Sequence, residues 1–316
     1  MSAKLRAAVI GVGYLGRFHA QKYKMIDNVD LVAVSDSRPE RGQEIAKEIG
    51  TEYVGDYTNL KGQVDAVTVA ANTSHHFEIA KWCLENNISV FVEKPVTVKS
   101  SEAEILCNLA KKNNLTLQVG HVERFNPAMI SAQKVLKKPL FIEVHRLAPF
   151  TPRGADVDVV LDLMIHDLDV ICSLVGSKVT HISAVGVPVL TKLVDIANAR
   201  LEFESGTIVN VTASRVSQQS TRKFRVFETD KYLSLDFGKG SVDLLTKTGE
   251  WAPDTIPLHH ESWSLEKGDA LLTETKSFVE CVINKTRPVV SGEDGLAALR
   301  LAERILENIS ERARKS

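Results

Sequence analysis

The hydrophobic pattern of the first 120 residues alternates between two periodicities. Short apolar runs rich in Val, Ile and Ala end in turn residues, which is typical of buried strands. Longer stretches between them carry apolar residues at every third or fourth position, which predicts helices. The five predicted strands are AAVIGVG, LVAVSD, DAVTVAA, SVFVEKP and LTLQVG. Strands that alternate with helices predict a parallel sheet covered on both faces.

From about residue 121 onward the pattern changes. NPAMISAQKVLKK and DVVLDLMIHDLDVICSLVG have helical spacing, and the runs between Val179 and Leu245 mostly alternate apolar with polar residues. Alternation with a period of two predicts an antiparallel sheet that buries one face. Two more helices are predicted near residues 265–285 and 292–314. Four large side chains fall in a predicted connection before these helices: Trp251, His259, His260 and Trp263.

The two patterns predict two domains. We expect residues 1–120 to form a Rossmann domain with a doubly wound parallel sheet, an α/β arrangement. We expect residues 121–316 to form a C-terminal α+β domain with a large, mostly antiparallel open sheet. A chain of 316 residues is long enough to build two cores.

Composition narrows the classes of protein. The chain is 44% apolar and 25% charged, as in ordinary globular proteins, and its net charge of −1 argues against a general binder of nucleic acid or anionic membranes. No uncharged apolar run approaches the ~18 residues of a membrane helix, and the N-terminus lacks the apolar region of a signal peptide. The four cysteines have neither disulfide-framework nor zinc spacing. These features predict a cytoplasmic protein without a structural metal.

A glycine-rich turn follows the first predicted strand. Gly11, Gly13 and Gly16 have G-x-G-x-x-G spacing between a strand and a helix. Such glycines permit a tight turn, close approach of a pyrophosphate and close helix packing, and the helix N-terminus attracts phosphate. Asp36 ends the second strand, where an acid can bind the adenosine ribose, although a solvated acid is the alternative. Asp36 favours NAD, whereas Arg38 leaves NADP open because it can accommodate a 2′-phosphate.

Another predicted strand ends in Glu93-Lys94-Pro95. Ligands of open α/β sheets lie outside the carboxyl ends of the strands, so we expect Lys94 near the nicotinamide. A residue before proline is kept out of the helical region, which restricts the backbone of Lys94. A lysine held there can stabilise an oxygen that gains negative charge or relay a proton. On position alone, an ordinary exposed lysine is the favoured interpretation.

The segment LDLMIHDLD is apolar and yet acidic, and no Lys or Arg occurs in residues 155–176. At about 100° per residue, four polar residues share an arc of roughly 80° on a helix, namely Asp158, Asp162, His166 and Asp169, while Asp167 lies outside it. The other positions are apolar, which predicts a buried helix whose polar side borders a cleft. Asp162 would orient His166 and stabilise its protonated form, as a general base requires. A metal site made from Asp162, His166 and Asp169 is the competing interpretation, with no further ligand cluster to support it.

These motifs together resemble those of the Gfo/Idh/MocA oxidoreductases. The resemblance rests on GVGYLGRFHA, ANTSHHFEIAKWCLENNISVFVEKP, QVGHVERFNPA and DLMIHDLD, in this order along the chain. It implies NAD(P)-dependent chemistry on sugar or cyclitol hydroxyls and a C-terminal sheet used for contacts in a homodimer or homotetramer. It also implies that Lys94, Asp162 and His166 are catalytic and that the Lys94–Pro95 bond is cis.

The resemblance extends to the cofactor contacts. Ala71-Asn72-Thr73 stands where the family usually has TPN, which weakens the transfer of contacts to that loop. His76 matches the histidine of the same motif, as a cofactor neighbour or a helix-cap contact. The cofactor-binding residues that we expect are Gly11, Gly13, Tyr14, Leu15, Gly16, Asp36, Arg38, Thr73, His76, Glu93 and Lys94.

Within the family, GHVERFNPA, FIEVHRLAPF and DVVLDLMIHDLDV are most similar to the subgroup that acts on UDP-N-acetylated amino sugars. We therefore expect hydride transfer at the C3 hydroxyl of such a nucleotide sugar. A diphosphate needs basic groups, and guanidinium forks suit it, although each arginine could instead form an ion pair. The expected substrate-binding residues are Lys94, Arg124, Asn126, Arg146, Arg153, Asp162 and His166. An inositol or free-sugar dehydrogenase remains an alternative, and so does a regulatory protein that senses NAD or a sugar without catalysis.

Overall fold

The computed structural model of the chain describes residues 4–152, 157–265 and 268–314. In these ranges no helix is long and apolar enough to span a membrane.

Two compact units make up the chain. Unit 1 comprises Met1–Val122 and Asp269–Leu299, and unit 2 comprises Glu123–Gly268 and Arg300–Ser316. The first division falls close to the predicted boundary after Gly120. The prediction that all of residues 121–316 belong to the second domain is corrected, because Asp269–Leu299 returns to unit 1.

Unit 1 contains a parallel Rossmann sheet, as predicted. Its strands are β1 (Leu5–Ile10), β2 (Val29–Ser35), β3 (Glu52–Val54), β4 (Ala66–Val69), β5 (Ser89–Glu93) and β6 (Leu117–Gly120). They form a 6-stranded sheet in the order β3-β2-β1-β4-β5-β6. The helices that follow the strands are α1 (Tyr14–Lys24), α2 (Pro39–Ile49), α3 (Thr73–Glu85) and α4 (Ser100–Lys112). The prediction missed β3, which has only three residues and lacks a buried apolar run.

The late return of the chain to unit 1 has a packing cause. The helix α7 (Ala270–Asn284) buries Phe278 and Val279 in the same apolar cluster as β1 and β2. The ring of Phe278 lies 5.6 Å from that of Phe91 on β5. Burial of a large aromatic side chain is worth a few kcal/mol, on the order of 1.5–3. The apolar face of α7 therefore assigns this segment to the Rossmann core.

Unit 2 contains the predicted, mostly antiparallel sheet. Its strands are β7 (Phe141–Leu147), β8 (Val179–Val187), β9 (Ile196–Phe203), β10 (Ile208–Ser214), β11 (Thr221–Phe227), β12 (Lys231–Asp236), β13 (Ser241–Lys247) and β14 (Leu258–Ser264). They form an 8-stranded sheet in the order β14-β13-β12-β11-β7-β10-β9-β8, in which only the described pair of β7 and β10 is parallel. One prediction is wrong here, because His259, His260 and Trp263 lie on β14 rather than in a connection.

Among the described residues, three α-helices belong wholly or partly to unit 2. They are α5 (Pro127–Val135), α6 (Ile165–Val175) and the larger, C-terminal part of α8 (Gly292–Ala313), whose residues up to Leu299 belong to unit 1. The alternating apolar residues of the sheet, such as Val209 and Val211, form one core with α6 and with Leu301 and Ile305 of α8. A π-helical turn, Val160–Met164, leads directly into α6.

Candidate functional site

The glycine turn between β1 and α1 leaves room for a ligand at one position only. Gly11 has a φ of +86°, and a Cβ there would lie 2.5 Å from the backbone nitrogen of Ala71. A Cβ at Gly16 would overlap the carbonyl oxygen of Gly11. At Gly13, by contrast, the nearest atom to an added Cβ is Nη2 of Arg38, at 4.0 Å. Packing thus requires Gly11 and Gly16, whereas Gly13 faces the open space that a pyrophosphate needs.

The helix α1 begins immediately after this turn. Its N-cap is Gly13, which offers no side chain to its first N–H groups, and its first turn contains no acid. Tyr14 is 64% exposed and Leu15 is half-buried. The backbone N–H groups at a helix N-terminus and the positive end of the helix dipole are suited to a phosphate. The predicted residues therefore form a cradle that fits the pyrophosphate of a dinucleotide.

A cleft of about 530 Å³ lies beside the glycine turn. Gly11, Gly13, Asp36 and Arg38 line it, as expected for the adenosine end of the cofactor. The sequence interpretation missed further lining residues, namely Ser37, Tyr57, Asn72, His75 and Glu78. They come from connections, from a short 3₁₀ helix at Tyr57–Leu60 and from the first two turns of α3, and none of them was among the predicted cofactor contacts.

Asp36 is nearly buried at the end of β2, and protein donors surround its carboxylate. Oδ2 accepts from the backbone N–H of Val12 at 3.0 Å, and Oδ1 accepts from the N–H and from Nε of Arg38 at 2.9 and 3.2 Å. Burial acts to raise the pKa of Asp36, but the hydrogen bonds from Arg38 and Val12 outweigh it, so this pKa lies below its usual range. Asp36 is thus held as a carboxylate, the form that accepts bonds from ribose hydroxyls.

Arg41 supports the glycine turn and was not identified from the sequence. Its Nε donates to the carbonyl oxygen of Val12 at 3.0 Å, and Nη2 donates to that of Gly13 at 3.4 Å. Nη1 pairs with Glu44 at 2.9 Å. Arg41 lies three residues after Arg38, about one helical turn, and this spacing was the sequence signal that could have identified it.

The Glu93-Lys94-Pro95 turn follows β5, and its Lys94–Pro95 bond is cis, as predicted. Oε1 of Glu93 pairs with Nε2 of the buried His19 at 2.8 Å, and Oε2 accepts from the backbone N–H of Lys94 at 3.1 Å. Burial acts to raise the pKa of Glu93, but its contacts with His19 and Lys94 lower it overall. The prediction of Glu93 as a direct cofactor contact is corrected, because its carboxylate is buried and holds these protein partners. Lys94 itself is half-buried.

His76 and Thr73 lie in the first turn of α3. His76 is 1% exposed, with Nδ1 at 2.9 Å from the carbonyl oxygen of Pro95 and Nε2 at 3.0 Å from that of Ala71. Both ring nitrogens face backbone carbonyls, so the prediction of a cofactor contact through His76 is corrected. Thr73 is half-buried at the helix start, and its role stays a prediction.

In unit 2 the helix that carries Asp162 and His166 is not uniform. The stretch Val160–Met164 is π-helical and α6 begins only at Ile165. The assumption of about 100° per residue along the whole segment therefore fails, because a π turn holds more residues than an α turn. Asp162 and His166 are both half-buried, and π-helical turns are frequent at functional sites. Asp158 is engaged elsewhere, since its Oδ1 accepts from the backbone N–H of Val194 at 2.9 Å.

The missing basic partners of this helix come from distant parts of the chain. Arg146 on β7 donates from Nε and Nη2 to the two oxygens of Asp167 at 2.7 and 2.8 Å, and Nη2 also reaches Glu123 at 3.0 Å. Burial acts to lower the pKa of Arg146, but the carboxylates of Asp167 and Glu123 raise it above its usual value. The prediction of Arg146 as a substrate ligand is corrected, because it is 5% exposed and already paired.

Arg124 and Asn126 also have structural partners. Nε of Arg124 lies 3.1 Å from Oδ2 of Asp169, and this acid is 2% exposed. Asn126 is the N-cap of α5, accepting from the N–H of Ala128 at 3.0 Å. Arg124 and Asn126 therefore have roles inside unit 2, and their substrate contacts stay predictions. Arg153 lies outside the described residues.

Comparison with known proteins gives two family matches. The oxidoreductase family with an NAD-binding Rossmann fold matches residues 5–121, and the GFO/IDH/MocA C-terminal domain matches residues 142–234.

Individual relatives agree with these matches. The chain is 37% identical over 304 residues to UDP-N-acetylglucosamine 3-dehydrogenase of Acidithiobacillus ferrooxidans, covering 96% of both proteins. It is 28% identical over 325 residues to scyllo-inositol 2-dehydrogenase (NAD(+)) of Bacillus subtilis, covering 95% of this chain and 93% of the relative. A solved structure of the Acidithiobacillus ferrooxidans enzyme has a TM-score of 0.91 at 35% identity and covers 97% of each chain. The chain therefore belongs to the Gfo/Idh/MocA family and is an NAD-binding oxidoreductase.

Proposed function

We propose that this Gfo/Idh/MocA oxidoreductase oxidises the C3 hydroxyl of a UDP-N-acetylated amino sugar. The observation that carries the proposal is the similarity, over nearly the whole chain, to UDP-N-acetylglucosamine 3-dehydrogenase. Relatives that act on inositols are less similar over a comparable length. The substrate class is therefore better supported as a nucleotide sugar than as a free cyclitol.

The chemistry is divided between cofactor and protein. Bound NAD supplies a hydride acceptor, and the protein supplies position and charge. His166 removes the proton of the substrate hydroxyl, and Asp162 orients its ring and stabilises the protonated form. Lys94 stabilises the oxygen as negative charge develops on it. General acid–base groups of this kind contribute about 10²–10⁴-fold each.

Two of the arginines expected to bind the diphosphate hold acids within unit 2. Arg124 pairs with Asp169 and Arg146 with Asp167, and their side chains are 9% and 6% exposed. We therefore favour Arg153, which lies outside the described residues, as the diphosphate ligand. On the cofactor side, Asp36, Gly13 and the N-terminus of α1 are the proposed contacts of NAD.

A substrate scan tests the function. NAD reduction would be followed by absorbance with UDP-N-acetylglucosamine, UDP-N-acetylgalactosamine, UDP-glucose, myo-inositol and scyllo-inositol. We expect turnover with UDP-N-acetylated sugars and little with cyclitols. Turnover with inositols alone would favour the dehydrogenase alternative, and NAD binding without any turnover would favour a sensor.

Variants test the assigned groups. We expect Lys94→Ala and His166→Ala each to lower kcat by about 10²–10⁴-fold while NAD still binds, because general acid–base and electrostatic assistance are lost. Asp162→Asn should give a smaller loss and change the pH dependence of kcat. The control is a substitution away from the proposed site, His259→Gln on the exposed face of β14, which should leave kcat unchanged. Arg124→Lys is less suitable as a control, because the ion pair of Arg124 with Asp169 supports the structure of unit 2. Full activity of the Lys94 or His166 variant would refute the assignment.

A further inference from the structure

His76 connects two loops that the sequence interpretation treated separately. Its ring is buried, with Nδ1 at 2.9 Å from the Pro95 carbonyl oxygen and Nε2 at 3.0 Å from the Ala71 carbonyl oxygen. Burial lowers the pKa of His76, so its ring is neutral and has one N–H, which can donate to only one of the two carbonyls; we assign the donor to Nδ1, the nitrogen nearer to its carbonyl. His76 can therefore hold the Pro95 segment by a hydrogen bond, while the other edge of the ring packs against Ala71, from a single position on α3.

One of these segments is part of the cofactor cradle. Ala71 follows β4, lines the cleft beside the glycine turn and lies against Gly11, where a Cβ would approach its backbone nitrogen to 2.5 Å. Gly11 in turn limits the position of Gly16 by direct contact. The contact of His76 with the Ala71 carbonyl is thus a contact with the wall of the cofactor cleft.

The other segment carries Lys94. On its N-terminal side the turn is fixed by Glu93, which binds His19 and the Lys94 N–H. Gly120 on β6 leaves space for this arrangement, because a Cβ there would lie 2.9 Å from Oε2 of Glu93. On its C-terminal side the turn is fixed by the bond between His76 and the Pro95 carbonyl. Lys94 therefore lies between two restraints, and His76 supplies the second.

We propose that His76 is a positioning residue that fixes the Lys94–Pro95 turn to the wall of the cofactor cleft. The inference rests on the proposed role of Lys94. It adds that His76 on α3 sets the position and orientation of Lys94. Both nitrogens face backbone carbonyls, so His76 acts through Lys94 and not by touching the cofactor. A misplacement near 1 Å can cost about 10²-fold in rate, which gives such a restraint a measurable effect.

Chemical labelling of the cofactor-free protein tests the bridge without turnover. Acetic anhydride would be applied to the wild type, His76→Phe and His76→Gln, and acetylation of Lys94 measured by mass spectrometry relative to the exposed Lys112. Phenylalanine keeps a ring and removes the hydrogen bond, whereas glutamine keeps an amide donor. We expect relative labelling of Lys94 to change by about 3-fold or more in His76→Phe, because local opening of the turn alters its exposure, and by less in His76→Gln.

Steady-state kinetics then separate positioning from folding. With the substrate that the scan identifies, we expect His76→Phe to lower kcat by about 10–100-fold, and His76→Gln to recover part of it. The dissociation constant of NAD should change by less than about 5-fold, because the Asp36 contacts are intact. His259→Phe makes the same chemical change on an exposed strand and should leave both constants unchanged.

The outcomes distinguish the two proposals. Lys94→Ala with full activity would refute the proposed function, whatever the labelling shows. Lys94→Ala without activity, combined with wild-type kcat and wild-type Lys94 labelling in His76→Phe, would overturn the bridge alone. Equal losses in His76→Phe and His76→Gln, with lowered thermal stability but unchanged Lys94 labelling, would also overturn it by showing a purely structural role.

Discussion

Asp36–Arg38 in unit 1 and Asp167–Arg146 in unit 2 pair the same residue types in opposite surroundings. The side chain of Arg38 is 67% exposed, whereas that of Arg146 is 6% exposed. Arg38 donates to Asp36 from the edge of a cleft, and Arg146 is enclosed between Asp167 and Glu123. The exposed guanidinium can leave its acid for a ligand, and the buried one cannot.

The comparison shows what decides whether a charged residue is available for binding. A buried ion pair is fixed, because removing one partner leaves an uncompensated charge in a poorly solvated place. A surface pair contributes about 0–1 kcal/mol and can exchange partners with little loss. Both arginines were predicted as ligand contacts, and they differ in how far the folded structure buries their side chains.

The largest expected effect concerns the buried pair. Arg146→Ala should lower the free energy of unfolding by about 3–5 kcal/mol, because it strands the carboxylates of Asp167 and Glu123. Arg38→Ala should lower it by less than about 1 kcal/mol. Urea unfolding of both variants measures the difference, and equal losses would contradict the distinction between the pairs.

The next effect concerns ligand binding at the exposed pair. Asp36→Ala should weaken NAD binding by about 10–100-fold, because hydrogen bonds to a charged group are worth about 1.5–3 kcal/mol. Fluorescence titration with NAD measures the dissociation constant. An unchanged dissociation constant in a folded Asp36→Ala variant would show that Asp36 only accepts the hydrogen bond of the Val12 N–H and does not contribute to NAD binding.

Arg38→Ala sharpens the choice of cofactor. We expect it to weaken NADP binding by about 10-fold, because a charge-assisted contact with the 2′-phosphate is lost. NAD binding should change by less than about 3-fold, since a largely exposed ion pair contributes little. Titration with both nucleotides gives the ratio, and a parallel loss for both would contradict a selective role.

The smallest effect is the pH dependence of the exposed pair. The pKa of Asp36 is lowered in the folded protein, so its contribution to stability is present above the unfolded pKa, near 3.9, and is lost as pH falls through the folded value. The difference in Tm between the wild type and Asp36→Asn should therefore narrow as pH decreases below about 4. A Tm difference that grows on acidification would contradict a lowered pKa of Asp36 in the folded protein.

The sequence predicted the Rossmann fold and its glycine turn well because their signals are local. The spacing of Gly11, Gly13 and Gly16 follows from backbone sterics within one turn, and Asp36 follows from the strand end. Contacts that depend on tertiary packing were missed, as with Arg41 on the glycine turn and His19 on Glu93.

The polar helix of unit 2 was predicted only in part. Its buried character was recognised, but the π turn at Val160–Met164 changes the angular positions on which the polar side was calculated. The sequence has no basic residue near these acids along the chain. This absence was misleading, because Arg124 and Arg146 approach Asp169 and Asp167 from other elements. Sequence distance gave no indication of these partners.

The central claim is hydride transfer from C3 of a UDP-N-acetylated amino sugar to NAD. The most direct measurement uses UDP-N-acetylglucosamine deuterated at C3 and mass spectrometry of the reduced cofactor. We expect one deuterium in the cofactor, a slower rate than with unlabelled substrate, and no transfer by the His166→Ala protein. Reduced cofactor without deuterium, or no reduction at all by the wild type, would contradict the account.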